Sequence, residues 1–201
     1  MLSLLVAVFT SPAVYRTSYQ QSVSLTSQYD LSIRILSDNH RIEVTGTWRL
    51  PPALAERNQI EFYLSPKMEG LKVQLLEPEA SGPLNLQSNQ EEGGDTKWVF
   101  KPTLPIPAGQ STLLQFSYAS DGKPAPQFNV SPEGSFAGGG GELWYPQVAY
   151  KNREIGRLRF TAPAGETVIS NGALESTLEQ KAKGEFIFSC HRTIKIRVRK
   201  R

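Results

Sequence analysis

Histidine and cysteine, which can bind a metal or act as nucleophiles, are few in this 201-residue chain. His40 and His191 are its two histidines and Cys190 is its single cysteine, so no disulfide can form within the chain. Neither histidine belongs to an H-E-x-x-H pair, in which two histidines on one helix face bind zinc beside a glutamate base. Cys190 and His191 are neighbours, and neighbouring side chains on a strand point to opposite faces. The sequence therefore predicts no catalytic residue, no cofactor-binding residue and no metal ligand, and we expect the chain alone not to be an enzyme.

Two other patterns that can carry chemistry are incomplete. The glycine run at residues 138–141 lacks the following Gly-Lys-Ser/Thr of a phosphate loop and does not open a helix, which favours a flexible loop. The 19 acidic residues include no spacing that selects a carboxylate pair for glycoside hydrolysis. A small hydrolase with an unrecognised carboxylate pair is therefore the weakest of three functional hypotheses.

The aromatic residues Trp48 and Trp144-Tyr145-Pro146 could stack against sugars or pack in a core. Tryptophan is highly buried on average, which favours packing. A secreted β-sandwich module that binds carbohydrate or protein is the alternative hypothesis, and it requires exposed aromatic side chains. Burial of Trp48, Trp98 and Trp144 would count against it.

Short apolar runs separated by turns must position all of these residues. Alternation within residues 29–35 predicts a strand that forms a hairpin with residues 42–50, where Gly46 is predicted to form a bulge. The dipeptide Asn171-Gly172 predicts a tight hairpin turn. The chain holds 14 prolines and 16 glycines and shows no sustained helical period. The predicted fold class is all-β, an antiparallel β-sandwich of about a dozen short strands.

The net charge of +3 describes the end of the chain rather than its body. Six basic residues lie within residues 192–201 with no acid among them, and without these six, 16 of the 22 basic residues remain against 19 acidic ones. Binding of nucleic acid requires a basic face on the folded domain, so we expect no nucleic-acid partner. The basic run itself could attach to anionic lipid or nucleic acid, although an unpaired charged end is the commoner outcome.

Residues 1–22 are expected to be a signal peptide or a flexible N-terminus. The apolar run from Leu2 to Phe9 has the length of a signal-peptide core and is too short to span a bilayer. No Lys or Arg precedes this run, which leaves two alternatives, a first strand or a piece of a longer hydrophobic helix cut by a late start codon. We expect export to the periplasm or the outside, with a cytoplasmic location left open, and no transmembrane span.

The order of the predicted strands resembles the opening of the aminopeptidase N family, the gluzincin-type zinc aminopeptidases. The aromatic-Pro segment Trp144-Tyr145-Pro146 follows a long loop, as in that family, and the stretch Ser170-Asn171-Gly172 follows a strand and a Pro turn. The further stretches that carry the resemblance are residues 29–35, 40–46, 60–64, 71–73, 113–118 and 157–163. The resemblance covers roughly residues 28–189, one domain in size.

The resemblance implies that residues 23–189 form a saddle-like β-sandwich domain that packs on a thermolysin-like catalytic domain. In the family, the zinc ligands, the general base and the Gly-x-Met-Glu-Asn loop lie in that following domain, and none of these motifs occurs in this chain. Some family members place a Gln or Glu near the substrate amine, but no acid or amide in residues 135–141 matches, so no substrate-binding residue is carried over. The implied function is a non-catalytic accessory domain of a truncated or partial metallopeptidase. The implied partner is a catalytic peptidase domain or another protein, and zinc is a cofactor of the missing domain only.

Residues 190–201 depart from the family. They form either an aberrant tail, produced by a frameshift or premature stop, or a real final strand, since Ile194, Ile196 and Val198 alternate with basic residues. A domain separated from its neighbour is expected to expose an apolar face. The candidate for this inter-domain packing surface is the segment Trp144, Tyr145 and Pro146.

Overall fold

The computed structural model describes residues 26–52, 59–77, 86–90, 96–102, 105–125, 127–138, 143–148, 154–179, 183–190 and 195–200. Across these ranges the fold is all-β, with 14 strands in three sheets, which confirms the predicted fold class. The strands are β1 (Ser27–Leu36), β2 (Arg41–Leu50), β3 (Ile60–Leu64), β4 (Met68–Glu77), β5 (Leu86–Gln90), β6 (Thr96–Phe100), β7 (Thr112–Ser120), β8 (Phe128–Asn129), β9 (Ser135–Ala137), β10 (Glu154–Pro163), β11 (Glu166–Ser170), β12 (Ala173–Glu179), β13 (Lys183–Cys190) and β14 (Ile196–Lys200).

The largest sheet has seven strands in the order β12-β13-β10-β1-β2-β7-β4. The predicted hairpin of β1 and β2 is present and closes through a short 3-10 turn at Ser37–Asn39. One pair departs from the expected antiparallel arrangement, because β1 and β10 run parallel. Parallel neighbours require a long crossover, and here the chain builds the strands from β2 to β9 before it returns beside β1.

Two smaller sheets cover the inner face of the large sheet. Their strand orders are β11-β14-β9-β8 and β3-β6-β5, and their neighbouring strands are antiparallel. One hydrophobic cluster joins all three sheets. Trp48 of β2 contacts Phe62 of β3 edge to face at a centroid distance of 5.8 Å, and Ile42 of β2 lines a small apolar cavity with Val198 of β14. The molecule is therefore a two-layer sandwich whose second layer is divided between two sheets.

Gly46 lies in β2 without forming the predicted bulge. The β1–β2 register is continuous through its pairing with Leu31. A Cβ atom at this position would collide with the carbonyl oxygen of Asp30 and with the Leu31 side chain. The glycine permits the close approach of β1 rather than an inserted residue.

The prediction of a hairpin at Asn171-Gly172 is wrong. The preceding strand β11 pairs with β14, and the following strand β12 pairs with β13. The dipeptide therefore carries the chain from the four-stranded sheet to the seven-stranded sheet. A Cβ atom at Gly172 would collide with the carbonyl oxygen of Ser189 and with Sγ of Cys190, so this glycine permits the chain to pass close to β13.

The basic end of the chain contributes strand β14, which lies between β11 and β9. Ile196 and Val198 point into the core, and Arg197 and Arg199 point to solvent. Of the two expectations for residues 190–201, the structure has a strand at Ile196–Lys200. Residues 191–194 and residues 1–22 lie outside the described residues, so the signal peptide stays a prediction. Among the described residues there is no helix with the length and apolar character needed to cross a membrane.

Candidate functional site

The aromatic segment, residues 143–147, crosses the molecule between the sheets and is held by two buried tyrosine hydroxyls. Tyr118 on β7 donates a hydrogen bond to the carbonyl oxygen of Trp144 at 2.7 Å. Tyr29 on β1 donates a hydrogen bond to the carbonyl oxygen of Pro146 at 2.7 Å. Both tyrosines belong to the seven-stranded sheet, so the large sheet satisfies backbone acceptors that water cannot reach.

The same segment is bonded on its other side to β3 and the turn after it. Gln147 and Tyr63 exchange two backbone hydrogen bonds, with N···O distances of 2.8 and 3.0 Å. The amide of Ser65 donates to the carbonyl oxygen of Leu143 at 2.8 Å. The segment therefore joins the three-stranded sheet to the seven-stranded sheet through hydrogen bonds as well as through packing.

The side chains of the aromatic segment complete a buried group of rings. Tyr145 contacts Tyr29 edge to face with centroids 5.5 Å apart, and Trp144 contacts Tyr145 at 5.0 Å. Tyr29 in turn stacks on Trp48 at 5.4 Å. Such ring pairs add about 0.5–1.5 kcal/mol each beyond the area that they bury, so this group is a main stabilising element of the core.

The expectation that Trp144, Tyr145 and Pro146 form an exposed apolar face is wrong. Trp144 and Tyr145 are both 0% exposed, and Pro146 is buried as well. The sequence shows that the segment is aromatic but does not show which residues stand opposite it. Two tyrosines that are distant in sequence provide the hydroxyl groups that let a segment without regular structure be buried.

Burial also changes the acidity of one of these tyrosines. Complete burial raises the pKa of the Tyr118 phenol well above its usual value of 10.0. The neutral hydroxyl is the form that donates to the Trp144 carbonyl oxygen. The group therefore acts as a fixed hydrogen-bond donor and not as a proton acceptor.

His40, one of the two histidines of the sequence, has a structural position. It lies exposed in the turn after β1, with a left-handed backbone at φ 55°. Its Nδ1 atom is 2.8 Å from the carbonyl oxygen of Val130, so it donates from the tautomer that carries a proton there. His191 lies outside the described residues. Within the described ranges, no three His, Cys, Asp or Glu side chains are close enough to hold a metal ion.

Cys190 is buried between the sheets. Its Sγ atom is 3.6 Å from Oγ of Ser170, and the thiol is free. Burial raises the pKa of the thiol, and the contact with Ser170 offsets part of that rise. Because the thiolate is the nucleophilic form, the environment of Cys190 suppresses its reactivity.

The tryptophans do not form a platform for sugars. Trp48 and Trp144 are buried, and Trp98 is half-buried against the core. The Nε1 atoms of Trp48 and Trp98 are buried without a hydrogen-bond partner. Stacking on a sugar requires an open ring face, so these positions do not support a carbohydrate-binding module.

A surface that the sequence did not predict lies on the outer side of the four-stranded sheet. Strand β14 of this sheet presents Arg197 and Arg199 to solvent, and Lys195, the residue before the strand, is exposed as well. Across the strands, Arg197 pairs with Ile169 of β11 and with Phe136 of β9. These two apolar side chains are 47% and 41% exposed. The five residues are called the basic face below, and alternation within β14 was the signal that could have revealed its charged column.

The outer face of the seven-stranded sheet has a different character. Several of its charged side chains form ion pairs, including Arg34–Glu43 at 3.3 Å and Arg159–Glu185 at 3.2 Å. A shallow groove of about 650 Å³ lies over β2, β7 and β4 and is lined largely by hydroxyl and amide side chains. No acid or histidine lines this groove, and the titratable side chain in its lining is the exposed Lys72.

Comparisons with known proteins give a fold and no sequence family. No family model matches the sequence, and no curated protein sequence matches it. The structure is similar to an M1 zinc metallopeptidase from Deinococcus radiodurans in complex with a Tyr-Ser-Ala substrate, with a TM-score of 0.64 at 14% identity. It is also similar to a two-domain M1 zinc metallopeptidase bound to L-tryptophan, with a TM-score of 0.60 at 16% identity.

The match covers most of this chain and less than half of each metallopeptidase. It spans 87% of this chain and 42% of the substrate complex, and 89% and 43% for the tryptophan complex. The chain therefore has the fold of one part of these enzymes, as the resemblance of its sequence implied.

The described residues of this chain do not fit zinc. Zinc sites in proteins use three or four His, Cys, Asp or Glu ligands. In the described ranges His40 bonds to a backbone carbonyl oxygen, Cys190 is buried beside a serine, and no cluster of three ligands exists. No catalytic step through a metal follows from this part of the chain.

Proposed function

We propose that this chain is a non-catalytic accessory β-domain of a zinc metallopeptidase. The observation that carries the proposal is the structural match, which covers 87% of this chain and 42% of a zinc metallopeptidase. The sequence supports it, because neither of its two histidines belongs to the H-E-x-x-H pair of a zinc peptidase helix.

In this proposal the chain acts as a rigid β-scaffold, and the reaction belongs to a catalytic domain outside the sequence, in the same polypeptide or on a partner. The aromatic segment gives the scaffold its rigidity, since buried hydrogen bonds join it to two sheets. The scaffold would position a wall of the substrate cleft rather than supply a reacting group. The alternative of a binding module for carbohydrate is less well supported, because Trp48 and Trp144 are buried.

The test is a paired assay on the purified chain. Release of fluorophore from several aminoacyl-coumarin substrates is measured with added zinc, and bound zinc is determined on the same sample. The proposal predicts no turnover above the buffer rate and no stoichiometric zinc. Chelator-sensitive turnover at an enzyme-like rate, near the median of about 10 per second, would contradict it.

A further inference from the structure

The basic face combines unpaired charge with exposed apolar surface. Lys195, Arg197 and Arg199 point outward from the centre of the four-stranded sheet, while Ile196 and Val198 between them are buried. Because the β-strand period is two, Arg197 and Arg199 point to the same side of β14, and the exposed Lys195 comes directly before the strand. Arginine and aromatic residues are enriched in protein interfaces, so the side-chain chemistry of the basic face is that of an interface.

The charges of the basic face lack partners in the part of the chain that the structure describes. No carboxylate forms an ion pair with Arg197 or Arg199 there. Glu166, at the start of the neighbouring strand β11, is buried and accepts a hydrogen bond from Ser37 at 2.9 Å. On the outer face of the seven-stranded sheet, by contrast, Arg157 is paired with Glu175 at 3.2 Å. The basic face thus has cations available to an external acid.

The apolar part of the basic face lies in register with its charge. Ile169, Arg197 and Phe136 occupy one row across β11, β14 and β9. The other large exposed apolar side chains of the described residues, Leu174 and Leu178, do not form a similar patch. They lie on edge strand β12 opposite Phe188 and Glu185. Because Phe188 and Glu185 are three residues apart on β13, they point to opposite faces, and so do Leu174 and Leu178.

Three kinds of occupant could cover such a face, and the charges separate them. A second copy of the chain in a two-fold dimer would bring the same patch against itself, which places cations against cations at a cost in affinity. An anionic membrane requires apolar side chains that project into the lipid, whereas more than half of the surface of Phe136 and of Ile169 is covered by the protein itself. A protein surface with acidic groups around apolar ones satisfies both the column of charge and the flanking side chains.

We propose that the basic face docks an acidic, partly apolar surface of a protein partner, and that this partner is the catalytic peptidase domain. The identity of the partner rests on the proposed function, whereas the chemistry of the surface rests on the row Ile169, Arg197 and Phe136 and on the unpaired charges beside it. Arg197 is the central contact, because it is flanked by both apolar side chains.

The experiment uses the full chain and a labelled acidic peptide with alternating residues, acetyl-Glu-Leu-Glu-Phe-Glu-Leu-Glu-amide, followed by fluorescence anisotropy. The variants are Arg197→Glu for the charge and Phe136→Ser and Ile169→Ser for the apolar flanks. The matched control is Lys72→Glu, which reverses an exposed cation on the seven-stranded sheet. A second peptide with Lys in place of Glu controls for non-specific binding. Circular dichroism verifies the fold of each variant, and all the mutated side chains are exposed.

The expected result is saturable binding of the acidic peptide, weakened about tenfold or more by Arg197→Glu and by each apolar variant, as truncation of an interface anchor does. Lys72→Glu should leave binding unchanged, and added salt should weaken it. The proposal is overturned if the acidic peptide does not bind, or if Lys72→Glu weakens binding as much as Arg197→Glu. It is also overturned if the Arg197→Glu variant still binds the peptide but no longer binds phosphatidylserine vesicles, or no longer self-associates in sedimentation.

The two proposals fail in different ways. Zinc-dependent turnover by the isolated chain would contradict the proposed function and leave the measured peptide binding intact. An inactive chain whose basic face binds no acidic peptide would contradict only the docking surface.

Discussion

The aromatic segment and the basic face both carry apolar side chains of the kind that protein interfaces use, but only the basic face is exposed. The sequence predicted the aromatic segment as the docking surface, yet Trp144 and Tyr145 are fully buried. The basic face is assembled from three strands and carries Phe136 and Ile169 beside Arg197. An aromatic cluster therefore belongs to a core when nearby residues satisfy its backbone hydrogen bonds, and exposure depends on the pairing of distant strands.

The largest difference between the two regions is expected on truncation of an aromatic side chain. Trp144→Ala should lower the free energy of unfolding by about 3–5 kcal/mol, because it leaves a cavity in the core. Phe136→Ala on the basic face should cost less than about 1 kcal/mol, since its side chain is already partly in water. Urea unfolding of both variants measures the two costs, and equal costs would contradict the comparison.

Removal of the tyrosine hydroxyls should have the next largest effect. Tyr118→Phe and Tyr29→Phe should each cost about 1–3 kcal/mol, because each leaves a buried carbonyl oxygen of the aromatic segment without a donor. Ser117→Ala, next to Tyr118 on the solvent side of β7, is the matched control and should cost about 0.5 kcal/mol or less. If the tyrosine variants unfold at the same urea concentration as the control, the hydroxyls do not hold the segment.

Alkaline pH should lower the free energy of unfolding through the ionisation of Tyr118. The folded pKa is raised above the unfolded value of 10.0, so the folded state holds its proton where the unfolded state releases it. The contribution of Tyr118 is fully present below pH 10 and is lost as the pH rises beyond it, with a slope of up to about 1.4 kcal/mol per pH unit for one group. Tyr118→Phe should reduce this slope in urea unfolding between pH 9 and about 11. An unchanged slope would exclude Tyr118 as its source.

The smallest effect concerns the reactivity of Cys190 rather than stability. Its buried thiol with a raised pKa should react slowly with a thiol reagent in the folded chain and rapidly in urea. Because it is the only cysteine, its modification reports opening of the interior directly. Tyr118→Phe should accelerate the reaction, and Arg197→Glu should not. Rapid modification of the native chain would show that the core around Cys190 is open.

The sequence was sufficient for features that depend on local pattern. Alternation predicted the hairpin of β1 and β2 and favoured a final strand as one of two alternatives for residues 190–201. Local pattern did not predict the features that form where distant segments meet. The parallel pairing of β1 with β10, the change of sheet at Gly172 and the burial of Trp144 depend on contacts between residues far apart in sequence, which local periodicity does not encode.

Tryptophan fluorescence tests whether the aromatic segment is part of the core of this chain or an exposed surface that a partner covers. Of the three tryptophans, Trp98 is the half-buried one, so the variant Trp98→Phe leaves Trp48 and Trp144 as reporters. We predict blue-shifted emission with weak quenching by acrylamide in the native chain, and a red shift with strong quenching in urea. Red-shifted emission and strong quenching in the native chain would show that the aromatic segment is exposed, and would contradict the account.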